Sequence, residues 1–325
     1  MSYVEVFNHF IAENLYRAGI FVNQLPASIS VALPARILLY ARREAVIIGP
    51  EADSMNRTIR TVHDCGTAVI TGASSGIGAA FACRLAGEGF ALILTARRKD
   101  RLAALARELE SACGVRAKVV AADLATDEGI ARLEATIAQD RSIAMLVNCA
   151  GFGTRGHFSN LDPDTIEKMT CLHVMATVRL TRAALPSMIG SGRGAVINVS
   201  SLGAFFTTSH YVMYSATKAF INMFTLGLRD ELSGTGVKAQ ALCPGLTRTG
   251  FMHTEEYRDF SYDAVPGFAW MEPGEVVDAS LAALARDKAI VIPGLGNRLF
   301  VATLRTPLIG PFLFRLLGRL GRGAY

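Results

Sequence analysis

Tyr214 and Lys218 stand four residues apart in YSATK at the start of a helical pattern, so both side chains fall on one face. A free tyrosine has a pKa of about 10, and as a proton donor or acceptor near neutrality it needs help. A nearby ammonium favours the phenolate, and a tenfold change in that equilibrium takes about 1.4 kcal/mol. Ser201, at the end of NVSS, adds a hydroxyl able to bond a carbonyl or alcohol oxygen beside the phenol. Any one of these residues alone reads as structural. Together, in this order and spacing, they read as proton transfer at a C–O group.

A second constellation binds rather than reacts. Thr71, Gly72, Ala73, Ser74, Ser75, Gly76, Ile77 and Gly78 follow one strand pattern and open the next helix. Glycines there let the backbone turn tightly and approach a pyrophosphate, whose charge the free N–H groups of the helix start can hold. The following strand ends in Thr95-Ala96-Arg97-Arg98. In such folds that strand end meets the adenosine ribose, where an acidic residue suits a free 2′-hydroxyl and arginine a 2′-phosphate, so Arg97 favours NADP over NAD. An ordinary solvated arginine pair would leave that choice open. Asp123 and Leu124 follow the third strand, where an adenine ring would lie.

With TGxxxGxG at Thr71–Gly78, YxxxK at Tyr214–Lys218 and NxAG at Asn148–Gly151, the chain resembles the short-chain dehydrogenase/reductase family from about Thr67 to Thr249. The resemblance implies hydride transfer between nicotinamide C4 and a substrate carbon, with Tyr214 as acid/base and Ser201 steadying the oxygen. It gives Lys218 two tasks, lowering the tyrosine pKa and holding the nicotinamide ribose. It also sets Pro244, Gly245 and Thr249 beside the nicotinamide and lines the cofactor cleft with Asn148 and Ala150. Homo-oligomers pairing through the long helices are a further implication.

The sequence departs from the family pattern twice. Cys149 replaces the usual second asparagine of NNAG and reads as a small buried hydrophobe rather than a nucleophile. His173, in CLHVMAT, stands where the family commonly has an asparagine that holds a proton-relay water. Imidazole can bond water too, with a charge that changes at a pH of about 6.5; a packed, merely polar histidine is the other reading. His157 and His210 fall near the expected pocket mouth, and the histidines show no metal-ligand spacing.

These residues need a scaffold, and the pattern supplies one. Between about Gly66 and Ile292, short β-branched runs alternate with amphipathic ones. Strands are expected at Ala68–Thr71, Ala91–Thr95, Ala117–Ala121, Met145–Asn148, Ala195–Val199, Val237–Leu242 and Ala289–Ile292. Helices are expected over Gly76–Glu88, Asp100–Ser111, Asp127–Ala138, Pro163–Met188 and Met213–Ser233, with Asp162 capping the fourth and Pro186 ending it. Near-continuous apolar strands mean that both sheet faces are covered, which is a doubly wound, Rossmann-like α/β fold. Substrate-facing walls would come from the segment after Gly151, from Leu202 to His210, and from Phe251, Met252, Phe260, Tyr262, Phe268, Trp270 and Met271. So many aromatics suit a bulky apolar carbonyl or alcohol substrate, or simply the core of a lid.

The domain is drawn over residues 63–294, with a 1–62 extension and a 295–325 tail. The extension has helical spacing at Val4, Phe7, Ile11, Leu15 and Ala18; it reads as packing on the core or on a second subunit, as a membrane-surface anchor, or as sequence ahead of a true start at Met55. The tail mixes leucine and phenylalanine with Arg298, Arg305, Arg315, Arg319 and Arg322. That composition suits packing near the substrate pocket, a dimer interface or peripheral contact with an anionic membrane. At 51% hydrophobic and 19% charged residues, the 325-residue chain is no disordered segment. A net charge of +5 gives no case for nucleic acid. Six scattered cysteines without a CxxC pair argue against zinc and a disulfide framework, so a reducing, cytoplasmic setting is the expectation.

Overall fold

The computed structural model describes residues 66–206, 209–253 and 266–306, with only the backbone of residues 252, 253 and 268. The expected 1–62 extension, Phe260, Tyr262, the tail beyond 306 and the side chains of Met252 and Phe268 lie outside the described residues.

Seven parallel strands form one sheet in the order β3-β2-β1-β4-β5-β6-β7. They are β1 (Thr67–Thr71), β2 (Ala91–Ala96), β3 (Ala117–Ala121), β4 (Ile143–Asn148), β5 (Gly194–Val199), β6 (Val237–Leu242) and β7 (Ile290–Val291). Alternation along each strand feeds two cores. Ala68, Ile70, Leu92, Leu94, Met145 and Val147 point to one face; Val69, Ile93, Leu146 and Val196 point to the other. The first face is covered by α1 (Gly76–Gly87), α2 (Lys99–Cys113) and α7 (Pro273–Ala285), through Phe81, Leu85, Leu102, Val276 and Leu281. The second lies under α3 (Asp127–Gln139), α5 (Ala176–Gly190) and α6 (Val212–Glu231), through Ile130, Leu133, Leu180, Met188 and Leu228. Chain order reverses between β1 and β4, so the crevice of this doubly wound sheet opens beyond their carboxyl ends.

Two differences from expectation have local causes. The fourth helix is α4 (Pro163–Thr170), a single π turn at Cys171–Met175, and α5; Asp162 caps it as its carboxylate accepts from the Asp164 and Thr165 N–H groups. Pro186 does not end it. The helix runs on to Gly190 because Ala184 and Met188 are fully buried on either side of the proline, and Ser187 Oγ donates to the Arg141 carbonyl at 2.7 Å. That packing offsets a lost backbone bond and ring crowding, which together cost about 3 kcal/mol in an isolated helix.

The two helices after β6 are additions to the sequence-based expectation. Helix α7 begins with Pro273 and a reciprocal capping box between Glu272 and Glu275. Helix α8 (Leu295–Leu304) buries Asn297, Phe300, Val301 and Leu304, so the expected tail begins as a packed helix.

Candidate active site

The glycine-rich turn is shaped by close approach. Gly72 has φ +70°, and a Cβ there would stand 3.0 Å from the backbone of Ala150; a Cβ on Gly78 would stand 2.4 Å from the Gly72 carbonyl oxygen. The turn is therefore clamped between the β4 exit and the first turn of α1. Gly76 (φ +57°) starts that helix, where the first N–H groups have no intrahelical acceptor, and a Cβ on it would meet the Thr249 side chain at 2.9 Å. The loop after β6 thus lies on the turn expected to cradle phosphate. Thr71 braces the start of the turn: buried, it accepts from the Cys149 and Ala150 N–H groups at 2.9 Å and joins the β1 and β4 exits.

Arg98, beside the expected Arg97, reaches the glycine turn. The Arg98 guanidinium donates to Ser74 Oγ and Ser75 Oγ, both at 2.8 Å, and Arg97 and Arg98 are both exposed. The arginine pair marks the site in the sequence; Arg98, the N-cap of α2, is the member that reaches the serines. Asp123 Oδ1 accepts from Ala125 N–H at 3.0 Å, and Leu124 beside it is buried. Asn148 donates to Thr181 Oγ1 (3.2 Å) and Asn198 Oδ1 (2.9 Å), while its own Oδ1 is buried without a protein partner. A clamped glycine turn, open helix N–H groups, a guanidinium over two hydroxyls and an unmatched buried acceptor together fit a dinucleotide phosphate carrier.

The reacting residues meet at the carboxyl ends of β5 and β6. Ser201 Oγ and the Tyr214 ring both border Gly203, where an added Cβ would stand 3.5 Å from the hydroxyl and 3.4 Å from the ring. Lys218 is buried; its Nζ donates to the Val199 carbonyl at 3.0 Å and lies 5.7 Å from the Tyr214 ring centroid. Ser200 Oγ donates to the Lys218 carbonyl at 2.9 Å, a support that no spacing in the sequence signals. Pro244 accepts from the Leu202 N–H at 3.0 Å, tying the Ser201 loop to the β6 exit. Gly245 comes next, pressed against Asn297 of α8.

Desolvation dominates the electrostatics of this buried pair. Burial pushes the Tyr214 phenol up to about 12, with a hydrogen bond from Ser201 pulling weakly the other way, and burial takes Lys218 down to about 8. Desolvation penalises the charged form of each. In this state the pair is a neutral phenol beside an ammonium. That is the charge state for giving a proton to a carbonyl oxygen.

His173 sits in the π turn and is 1% exposed. Its Nε2 accepts from the Phe152 N–H at 3.3 Å, which places the proton on Nδ1, 2.9 Å from Thr217 Oγ1. Thr217 in turn donates to the Tyr214 carbonyl at 2.9 Å. Both ring nitrogens are thus engaged with protein atoms. Burial and then Lys218 hold His173 well below the usual 6.5, which favours the neutral ring at that pH. His173→Asn is expected to leave the pH dependence of turnover flat from roughly 5.5 to 7, around the reference imidazole value. It should cost about 1–3 kcal/mol of stability from the broken chain, read by chemical denaturation. An acid limb present in wild type and absent from the variant would contradict this.

The cleft mouth is lined as expected in part. Phe251 lies 6.0 Å from the Tyr214 ring and Phe152 6.0 Å from His173. Trp270 is buried with Arg248 over its face at 5.6 Å, and Met271 pairs with Thr247, so these two brace the loop. His157 and His210 meet with Nε2 atoms 3.3 Å apart, His210 at φ +78°, and the Gly156 N–H donates to the His210 carbonyl. This contact joins the two loops that flank the cleft. Among the described residues no group of three or more His, Cys, Asp or Glu side chains could hold a metal.

Comparison with known proteins agrees with this geometry. The profile of the short chain dehydrogenase family matches residues 66–259. The uncharacterized oxidoreductase YmfI of Bacillus subtilis is 35% identical over 231 residues, 70% of this chain and 94% of that protein. A short-chain dehydrogenase from Sphingobium yanoikuyae, solved in complex with NADPH, superposes with TM-score 0.66 at 37% identity, covering 71% of this chain and 88% of its own. The bulky-bulky ketone specific alcohol dehydrogenase from Comamonas testosteroni gives TM-score 0.63 at 31% identity, covering 80% and 95%. By sequence and fold, the chain belongs to the short-chain dehydrogenase family and is an oxidoreductase acting on CH–OH groups.

Proposed function

We propose that this oxidoreductase uses NADP to interconvert a bulky, apolar ketone or aldehyde and its alcohol. The observation that carries the reading is the convergence of Ser201, Tyr214 and Lys218 on one side of a clamped glycine turn whose serines hold Arg98. When bound, the nicotinamide supplies or accepts the hydride. Tyr214 gives its proton to the substrate oxygen in reduction and takes it back in oxidation, and Ser201 Oγ bonds that same oxygen. Lys218, fixed on Val199, keeps positive charge beside the phenol and toward the ribose. Asn148 and Ala150 at the β4 exit, with Pro244, Gly245 and Thr249 after β6, border the cofactor. His173 acts by position, tying the Phe152 loop to the first turns of α6.

Arg98 supports NADP over NAD because a guanidinium held by two hydroxyls can pair with a 2′-phosphate but gains nothing from a 2′-hydroxyl. The NADPH-bound relative agrees with this choice. Phe152 and Phe251 beside the reacting groups, together with a relative selective for bulky ketones, support a bulky substrate. Free thiols among the described residues suit the cytoplasm, and exposed Met223 and Leu226 on α6 suit pairing of subunits through that helix.

Steady-state oxidation of NADPH and NADH with a panel of aromatic and alicyclic ketones tests the reading. Wild type should prefer NADPH, and Arg98→Ala should raise its KM by about tenfold or more, the worth of a charge-assisted contact, while leaving NADH unaffected. An equal effect on both cofactors, or a wild-type preference for NADH, would overturn the NADP assignment.

A further inference from the structure

Two segments border the cleft where substrate must enter: the loop that follows Gly151 and the His210–Tyr211 stretch that leads into α6. They are joined twice. The Gly156 N–H donates to the His210 carbonyl at 3.1 Å, and His157 Nε2 meets His210 Nε2 at 3.3 Å. Arg155 stands immediately before this junction and is half-buried. Its charge reaches across to the second segment. Burial, then His157 and Arg155, hold His210 below its usual value, while burial raises the Tyr211 phenol and Arg155 opposes the rise. Tyr211 is the N-cap of α6, so the guanidinium faces the approach to the turn that carries Tyr214.

This positive charge has no matching acid among the described residues. Arg84, Arg179, Arg229 and Arg248 each pair with a carboxylate, whereas no described carboxylate pairs with or accepts from Arg155. The chain supplies none locally: no aspartate or glutamate lies between Asp140 and Asp162 or between Glu167 and Asp230, the spans that hold both segments. A guanidinium partly withdrawn from water without an acid is best satisfied by an anion that arrives with a ligand. Phe152, three residues before it, and Phe251 beside Tyr214 supply apolar surface between that cation and the reacting groups.

We propose that Arg155, on the rim completed by His157 and His210, binds an anionic group, carboxylate or phosphate, carried by the substrate at the end remote from its carbonyl. The inference rests on the carbonyl/alcohol reading above and narrows its substrate class to a bulky apolar body with an acidic end, such as an oxo acid and its hydroxy acid. The planar fork of arginine suits two oxygens of either group. The aromatic side chains then hold the middle of the molecule, and the anion sets which carbonyl lies beside Tyr214.

Equilibrium titration of the full chain in the presence of NADPH tests the proposal with ligands that cannot be reduced: phenylalkanoates of increasing chain length, matched phosphate monoesters and matched neutral amides. Wild type should bind one anionic series about tenfold or more tighter than the amides, the worth of a charge-assisted contact, and the tighter series identifies the group. Arg155→Met should remove that preference. Arg155→Lys should keep part of it, since the charge stays and the fork is lost. Binding is read without turnover, so the two readings fail separately: a chain that reduces ketones but binds acids, phosphates and amides alike overturns the anion subsite alone. An Arg155→Met variant that melts like wild type and keeps the preference would overturn it too.

Discussion

Tyr214→Phe is expected to lower carbonyl reduction by about 10²–10⁴-fold, the usual worth of a positioned general acid. NADPH affinity should stay unchanged. The substitution removes one oxygen and keeps the ring that Phe251 and Lys218 pack against, so the cleft keeps its shape. The protonation states also give the wild-type pH profile its sign. Reduction needs the neutral phenol and the ammonium. With Tyr214 raised to about 12 and Lys218 lowered to about 8, that combination is lost first at lysine as pH rises. Reduction should hold across neutrality and fall through about pH 8, while alcohol oxidation, which needs the phenolate, should gain on the alkaline side. A Tyr214→Phe enzyme within tenfold of wild type, with cofactor bound normally, would remove the phenol from the chemistry.

Gly78→Ala is expected to weaken NADPH binding by at least about tenfold and to destabilise the fold by about 1–3 kcal/mol, as overpacking does. The new Cβ would stand 2.4 Å from the Gly72 carbonyl oxygen and 2.7 Å from its carbon, both backbone atoms. Gly72 has no slack to retreat, since the Ala150 backbone closes its other side at 3.0 Å from a Cβ position. The phosphate cradle must therefore open or tilt. Gly87→Ala in the same helix is the control: nothing lies within 4 Å of its added Cβ, so affinity should not change. Fluorescence titration with NADPH and denaturant melts of the two variants separate these effects. Equal affinities would show that the turn does not hold the cofactor.

Much of this is legible in the sequence because it is local. The strand runs show through their apolar content, and TGxxxGxG and YxxxK encode a turn and a helix face by spacing alone. Other features depend on distances that spacing does not carry. Arg97 and Arg98 are equivalent in the sequence, and in the fold Arg98, the N-cap of α2, is the member that reaches Ser74 and Ser75. The raised Tyr214 pKa comes from desolvation by the assembled cleft, whereas the YxxxK spacing suggests depression by the lysine. His173 visibly occupies an unusual position, but its ties to Phe152 and Thr217 join two loops and a helix distant in the chain. Local propensity reads Pro186 as a helix terminator because it cannot count the burial of Ala184 and Met188. Helix α7, by contrast, carries Pro273 and a capping box in plain view, a start signal that reading from strand to strand passes over.

The proposed chemistry would take hydride from a bound nicotinamide to carbon while Tyr214 supplies the proton. Isotope tracing reads this directly: NADPH deuterated at both C4 positions is incubated with enzyme and a turned-over ketone, and the alcohol is analysed by mass spectrometry. The expected product carries one deuterium on the carbinol carbon of each molecule, and none on that carbon when unlabelled NADPH is used in deuterated water. Product alcohol without the label, or NADPH bound tightly with no ketone reduced by wild type or by Tyr214→Phe, would contradict it.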